Sequence, residues 1–461
     1  MICPLRISSL CTAALLVVGT RGQWQSLQGG VNDEVRAFAQ PPDSTRLLVS
    51  GSFPYVFQDS LRANNIAWWD GVNWSIEGLA NGNGSTFQFG YHSPTFSLAI
   101  RSDTIFAGHL SEYWHEDSSM GFAAMLADGS WQPCAQPNGS LYFLEANGRM
   151  FSGGVHDELY GSYAPGIHEW VGGLFQTMPN MPFTDLVQVN DAAYWHGKYY
   201  FGGVFQTLGC NKIIAFDGVD QWMPLGTGVG GSFIRSICGY GDSLYVGGYL
   251  QPGPDVQSRH LQIWDGQSWL PFFDEVAVVG QTMDIQVYGG NLYFSGAYLF
   301  PGDTTQYGLL RYDGHQLCAL GGYMIHGGGV MAFFQDDLYM ALPPLNTQLY
   351  YEFIGFLDLE TVVPDRCVAV TPNSIGERST PHPTLRVYPN PTVDALTVQL
   401  PVGVHAGQLL VHDGLGRLVL SEPIQCTGWT ELSTTALAPG TYTVTLNSDG
   451  VRAGMARFTK F

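Results

Sequence analysis

The chain repeats itself. A strand phrase, LYVGG at Leu244–Gly248, is followed after a spacer by a hairpin phrase, WDGQSW at Trp264–Trp269. Degenerate copies set seven anchors at Gly51, Gly108, Gly153, Gly203, Gly248, Gly296 and Leu342, separated by 57, 45, 50, 45, 48 and 46 residues. Several short strands recurring at this period are the pattern of a β-propeller, because one four-stranded unit cannot bury its two faces alone. The repeat therefore predicts an all-β chain that opens with a seven-bladed β-propeller. It says nothing of a ligand.

Each copy reads strand by strand. An apolar strand comes first, as in VRAFA (Val35–Ala39), IRSICGY (Ile234–Tyr240), MDIQVYG (Met283–Gly289) and VMAFF (Val330–Phe334). Period-2 alternation and aromatic or β-branched residues mark these as strands. The second strand carries glycine, as in FSGGV (Phe151–Val155) and FGGVF (Phe201–Phe205), where a neighbouring backbone or ring must come close. The third and fourth strands are joined by Asp-Gly at Asp70-Gly71, Asp128-Gly129, Asp217-Gly218, Asp265-Gly266 and Asp313-Gly314, a strong hairpin signal. The third copy has Val171-Gly172 instead.

The seventh copy stops at FLDLE (Phe356–Glu360), without a last aromatic strand, whereas WQSLQGGV (Trp24–Val31) resembles the last strand and exit turn WMPLGTGV (Trp222–Val229). A missing strand at one end and an orphan at the other predict that the N-terminal strand closes the seventh blade. Closure pairs two edges that would otherwise be exposed.

Residues 1–22 combine Arg6, an apolar run from Ile7 to Val18 and small residues at Thr20 and Gly22, the layout of a secretory signal peptide. The run is too short for a transmembrane helix, and no later segment approaches the length needed. Six cysteines follow, Cys134, Cys210, Cys238, Cys318, Cys367 and Cys426. They lack zinc spacing and allow fifteen disulfide connectivities; Cys210 and Cys238 are closest in sequence, and buried free thiols are the alternative. The net charge is −20. Acids and bases balance in 364–383 and again from Thr384 onward, so the negative excess lies on the repeats. Such a field disfavours nucleic acid and anionic polysaccharide.

Composition changes after Val363. Residues 364–384 are rich in Pro, Ser and Thr and read as a linker. Residues 385–461 hold seven short strand candidates with frequent turns, which predict a small immunoglobulin-like β-sandwich. The domains are thus 1–22 signal peptide, 23–363 propeller, 364–384 linker and 385–461 sandwich.

The last segment carries Tyr388-Pro389-Asn390-Pro391, then VHDGLGR at Val411–Arg417, then LAPGTY at Leu437–Tyr442, and ends with a strand containing Lys460. These motifs, in this order, resemble the type A C-terminal sorting domain of cargo exported by the type IX secretion system of Gram-negative bacteria. The resemblance implies the type IX machinery as partner, a secreted or outer-surface location, and Pro389, Asn390, Pro391, Asp413, Gly416, Gly440, Tyr442 and Lys460 as the sorting signal. The repeats are similar to kelch repeats, a group that includes binding modules and copper-radical oxidases.

The sequence offers no catalytic motif, with Gly-x-Ser-x-Gly, His-Glu-x-x-His and phosphate loops all lacking. His109 and His156 follow the glycine strands of the second and third blades, and Asp157 and Glu158 follow His156. The most suggestive binding segment is the second-blade loop Trp114-His115-Glu116-Asp117, an aromatic platform beside carboxylates suited to a sugar ring or a calcium ion. The sequence therefore reads as a non-catalytic adhesin or glycan-binding propeller. Neutral glycan or a surface protein is its expected partner, with no required metal or cofactor beyond optional calcium. The alternative is a secreted propeller enzyme, a hydrolase or lyase acting on polysaccharide or a kelch-type oxidase.

Overall fold

In the computed structural model every regular element among the described residues is a strand, from Gln25–Ser26 to Val451–Lys460. The described residues are 23–41, 45–56, 60–79, 95–101, 104–109, 122–125, 131–135, 139–156, 158–160, 162–185, 187–251, 260–273, 275–324, 327–342, 353–370, 385–400, 407–412, 418–424, 428–448 and 451–461. Residues 1–22, read above as a signal peptide, lie outside them. Two compact units are formed, residues 1–372 and 373–461. Among the described residues no helix is long and apolar enough to cross a membrane.

The first unit is a series of four-stranded antiparallel meanders. Sheet 1 orders Val35–Ala39, Leu47–Gly51, Ile66–Trp69 and Trp74–Ser75. Sheet 2 runs Thr95–Arg101, Thr104–His109, Phe122–Met125 and Trp131–Ala135, and sheet 3 Gly139–Ala146, Arg149–His156, His168–Val171 and Leu174–Thr177. Sheet 4 runs Val187–Trp195, Lys198–Thr207, Cys210–Phe216 and Trp222–Pro224. It fuses with sheet 3 where Gly154–His156 pairs with Val187–Val189. Sheet 5 runs Phe233–Tyr240, Ser243–Tyr249, Leu261–Trp264 and Trp269–Pro271, and sheet 6 Asp284–Tyr288, Asn291–Leu299, Gln306–Tyr312 and Gln316–Tyr323. Sheet 7 contributes Met331–Phe334, Asp337–Ala341 and Ile354–Asp358. Its bare edge is filled by Gln25–Ser26, with Gln25 opposite Phe356 and Ser26 opposite Gly355.

First strands of consecutive sheets lie side by side, and the first strand of sheet 7 lies beside that of sheet 1. The recurring hairpin tryptophan explains part of this order. Trp269 Nε1 donates to Leu225 O (2.9 Å), Trp222 Nε1 to Pro179 O (2.8 Å) and Trp74 Nε1 to Leu27 O (2.7 Å), each the exit turn of the preceding sheet. Leu27 thus occupies for sheet 7 the place that Leu225 holds for sheet 4. A buried indole needs a partner for its N–H, so the tryptophan orients the next sheet as well as filling space.

The Asp-Gly hairpins at Asp70, Asp217, Asp265 and Asp313 form as expected, and Asp128-Gly129 lies outside the described residues. Asp265 Oδ1 accepts from Gln267 N and Ser268 N at 2.7 and 2.6 Å, Asp313 repeats the pattern, and Gly266 and Gly314 both have φ of 97°. The glycine doublets have two steric reasons. A Cβ on Gly203 or Gly248 would collide with the carbonyl of Gln188 or Phe233, in the bulged first strand of its own sheet. One on Gly202 or Gly247 would meet Ile237 and Ile234, or Thr282 and Ile285, of the next sheet.

Past sheet 7 the chain adds one strand, Arg366–Ala369, to the outer edge of sheet 6, where a disulfide joins Cys367 to the directly opposed Cys318. Cys210 and Cys238, nearest in sequence, are both free thiols because they lie in different sheets. Arg366 forms an ion pair with Asp303, and its guanidinium lies 5.1 Å from the Phe300 ring.

The second unit has a three-stranded sheet (Arg386–Tyr388, Ala395–Gln399, Trp429–Ser433) and a four-stranded one (Leu418–Ile424, Gly407–His412, Gly440–Ser448, Val451–Lys460). Leu396, Val398 and Leu432 of the first share one core with Val411, Val444, Leu446 and Phe458 of the second. Burying a side chain of this size contributes about 1.5–3 kcal/mol.

Candidate functional site

One cavity of about 240 Å³ is lined from the first strand of all seven sheets, by Ala37, Ser97, Phe143, Asp191, Ser236, Asp284 and Met331 among others. The chemistry of its wall comes from a repeated local event. In sheets 2, 4 and 5, where the first strand bulges against the second, a polar side chain replaces an apolar one and reaches the next sheet, and Asp284 of sheet 6 does the same in regular register. Ser97 Oγ accepts from Phe143 N (3.0 Å), Asp191 Oδ2 from Ile237 N (2.7 Å), Ser236 Oγ from Ile285 N (3.1 Å) and Asp284 Oδ2 from Met331 N (2.8 Å). Each N–H belongs to the residue after the equivalent position of the following sheet. These are side-chain staples between adjacent first strands.

The two carboxylates are further engaged. Asp191 Oδ1 accepts from Ala192 N (2.8 Å), and Gln286 Nε2 donates to both Asp284 Oδ2 (2.8 Å) and Met331 O (2.7 Å). The Ser236 hydroxyl stands 3.5 Å from Asp284 Oδ1. Asp191 keeps a window on the cavity but is ringed by protein, and this burial pushes its pKa up to about 7, the Ile237 N–H opposing the rise and the Asp284 charge adding to it. Burial raises Asp284 as well. Nearby Cys238 is pushed up to about 12 by burial and by the same two carboxylates, so its thiol stays protonated and unreactive at neutral pH. Arg36, Arg235 and Glu145 complete the charged lining.

A second cavity, of about 360 Å³, shares Phe38, Gln286 and Met331 with the first and is otherwise lined by Ala39, Gln40, Leu47, Tyr288, Ala332 and Phe333. Tyr288 and Phe333 stack with centroids 4.3 Å apart and planes 3° from parallel. Tyr288 Oη donates to Asp336 Oδ1 at 2.5 Å, a bond that pushes the phenol up to about 12.

The loop Trp114, His115, Glu116 and Asp117 lies outside the described residues, as do Asp157 and the side chains of His109 and His156. Among the described residues no three His, Cys, Asp or Glu side chains are grouped to hold a metal ion. The stapling residues were absent from the sequence reading, yet a signal existed: Asn190-Asp191, Arg235-Ser236 and Met283-Asp284 set a polar residue at one place in successive apolar strands.

In the second unit Pro389 and Pro391, both following cis peptide bonds, end the edge strand Arg386–Tyr388. Asn390 Oδ1 accepts from Thr459 N (2.9 Å), Thr392 N donates to Thr459 O (2.8 Å) and Phe461 N donates to Thr392 O (3.0 Å). The Pro-Asn-Pro segment therefore clasps the final strand. Gly440 opens a strand opposite Lys460 and is not in a turn. Tyr442 is buried, stacks on Phe458 at 5.6 Å and donates to Ala438 O (2.7 Å). Asp413 and Gly416 lie outside the described residues.

No curated protein matches this chain. Residues 386–454 match the family described as the secretion system C-terminal sorting domain. That domain makes the chain a cargo protein of the type IX secretion system, secreted or held at the outer surface of a Gram-negative bacterium.

Proposed function

We propose that the exported cargo is a seven-bladed β-propeller, residues 23–363, that binds its target without transforming it. The circuit of first strands, each sheet leaning on the next and the last on the first, supports the propeller. The observation that carries the non-catalytic reading is the use made of the central carboxylates: Asp191 spends both oxygens on backbone N–H groups, and Asp284 is held by Met331 N and Gln286. Groups so engaged are built for cohesion. Binding then falls to the rims, including the Trp114–Asp117 loop, and the acidic field favours a neutral glycan or a calcium-bridged surface partner.

The enzyme reading has one observation in its favour, the raised Asp191 pKa beside a cavity, which suits a general acid. A glycan array read together with turnover assays on the hits separates the two. Retention without product supports the binding module; hydrolysis abolished by Asp191→Asn replaces it with a hydrolase.

A further inference from the structure

The cleft that opens from the central cavity toward Gln40 and Tyr288 has a composition unlike the rest of the inner wall. Its lining includes the stacked pair Tyr288 and Phe333, a third aromatic ring from Phe38, and the amides of Gln40 and Gln286. Its volume of about 360 Å³ lies in the range of small-ligand sites, which run from roughly 300 to 1,000 Å³. The aromatic wall is held rigid across two sheets, because Tyr288 of sheet 6 stacks on Phe333 of sheet 7 and is tied to Asp336 in the turn that follows Phe333. The Gln286 amide is fixed as well, both its hydrogen bonds going to Asp284 and Met331. A site whose walls do not reorganise loses little entropy on binding.

We infer that this cleft is a subsite for one neutral pyranose residue of a glycan, the sugar ring lying along the aromatic wall and its hydroxyls meeting the Gln40 and Gln286 amides. The assignment rests on the glycan-binding reading above and adds a place and a charge class to it. Aromatic faces match the C–H faces of a pyranose; the exposed Gln40 amide can both donate to and accept from hydroxyls, while Gln286, with both Nε2 protons engaged, offers Oε1 as an acceptor. The chain's net charge of −20 selects against an anionic sugar.

The test uses saturation-transfer NMR on the full chain with methyl glucoside, methyl galactoside, methyl mannoside and, as the anionic counterpart, glucuronate. Two variants accompany it. Ala332→Trp fills the cleft from a half-buried position, and Gln40→Ala removes an exposed amide without touching the core. The expected result is saturable binding of at least one neutral glycoside, at least tenfold weaker in Ala332→Trp and several-fold weaker in Gln40→Ala, with melting temperatures unchanged and no glucuronate signal. Absence of signal from all three neutral glycosides overturns the assignment, as does glucuronate binding of equal strength. If a neutral glycoside binds the parent and both variants equally, the subsite is wrong while the glycan-binding reading stands.

Discussion

Gln23 and Val363, 340 residues apart, exchange two hydrogen bonds: Val363 N donates to Gln23 Oε1 at 2.7 Å, and Gln23 Nε2 donates to Val363 O at 2.5 Å. They form a side-chain clasp beyond the ladder in which Gln25 and Ser26 meet Phe356 and Gly355. The beginning and end of the repeat region are one sheet.

Deleting residues 23–30 should therefore lower the melting temperature of the whole first unit. The deletion removes fully buried Leu27 and the acceptor of the Trp74 indole. Leu27→Ala alone should cost ~2–5 kcal/mol. Calorimetry checks both, and an unchanged transition in the deletion would contradict the role given to this strand.

The Cys318–Cys367 bridge closes a loop with a sequence separation of 49 residues. Loop-closure entropy for such a length is worth about 4 kcal/mol. Replacing both cysteines with Ala should lower stability by that order, and dithiothreitol should shift the parent toward the variant while leaving the variant unmoved.

Asp191 gives a pH dependence of definite sign. Its folded pKa of about 7 is higher than its value in the unfolded chain, so the folded state holds the proton more tightly. The stabilisation is complete below the unfolded pKa, near 4, and is lost as the pH rises through 7. His168, buried and lowered to about 4, works in the opposite sense between pH 4 and 6.5, so the raw profile mixes the two. The difference between Asp191→Asn and the parent isolates the carboxylate: the variant should gain relative stability from pH 5 to pH 8. A constant difference across that interval would refute the assignment.

Truncation before Gly454 removes most of a ten-residue strand, including Phe458 and the backbone groups of Thr459 that hold Asn390 and Thr392. A fusion of residues 364–461 behind an unrelated exported protein should reach the medium or cell surface in a host with the type IX pathway. The truncated fusion should stay in the periplasm. Fractionation and immunoblotting decide, and equal export of the two would be the contrary result. Phe458→Ala should destabilise the second unit by about 3–5 kcal/mol.

Much of this architecture was legible in the sequence because its causes are local. Asp-Gly turns, the glycine strand and the recurring tryptophan each act within a few residues or at a fixed repeat offset, and strand pairing follows them. The orphan segment at Trp24 was legible for the same reason, as a repeat phrase out of place. The cleft was not, since Phe38, Tyr288 and Phe333 come from three separate repeats and meet only after the sheets have packed. Nor was the disulfide: Cys367 stands in what reads as a Pro/Ser-rich linker, and only the extra strand beside sheet 6 sets it opposite Cys318. The Trp114 loop was singled out by composition alone, with no repeat partner to position it.

The staples all point one way. Ser97 reaches forward from sheet 2 to sheet 3, and Asp191, Ser236 and Asp284 reach forward in unbroken succession from sheet 4 to sheet 7. At the matching places sheet 1 has Ala37 and sheet 7 has Val330, which offer no side-chain acceptor. The arc from sheet 4 to sheet 7 is thus a riveted plate, whereas sheet 7 grips sheet 1 by another route: the indoles of Trp74 and Trp69 donate to Leu27 O and Tyr339 Oη, and Gln335 Nε2 donates to Asp70 O. The arc is fastened through its first strands, the closure through the strands and turns outside them.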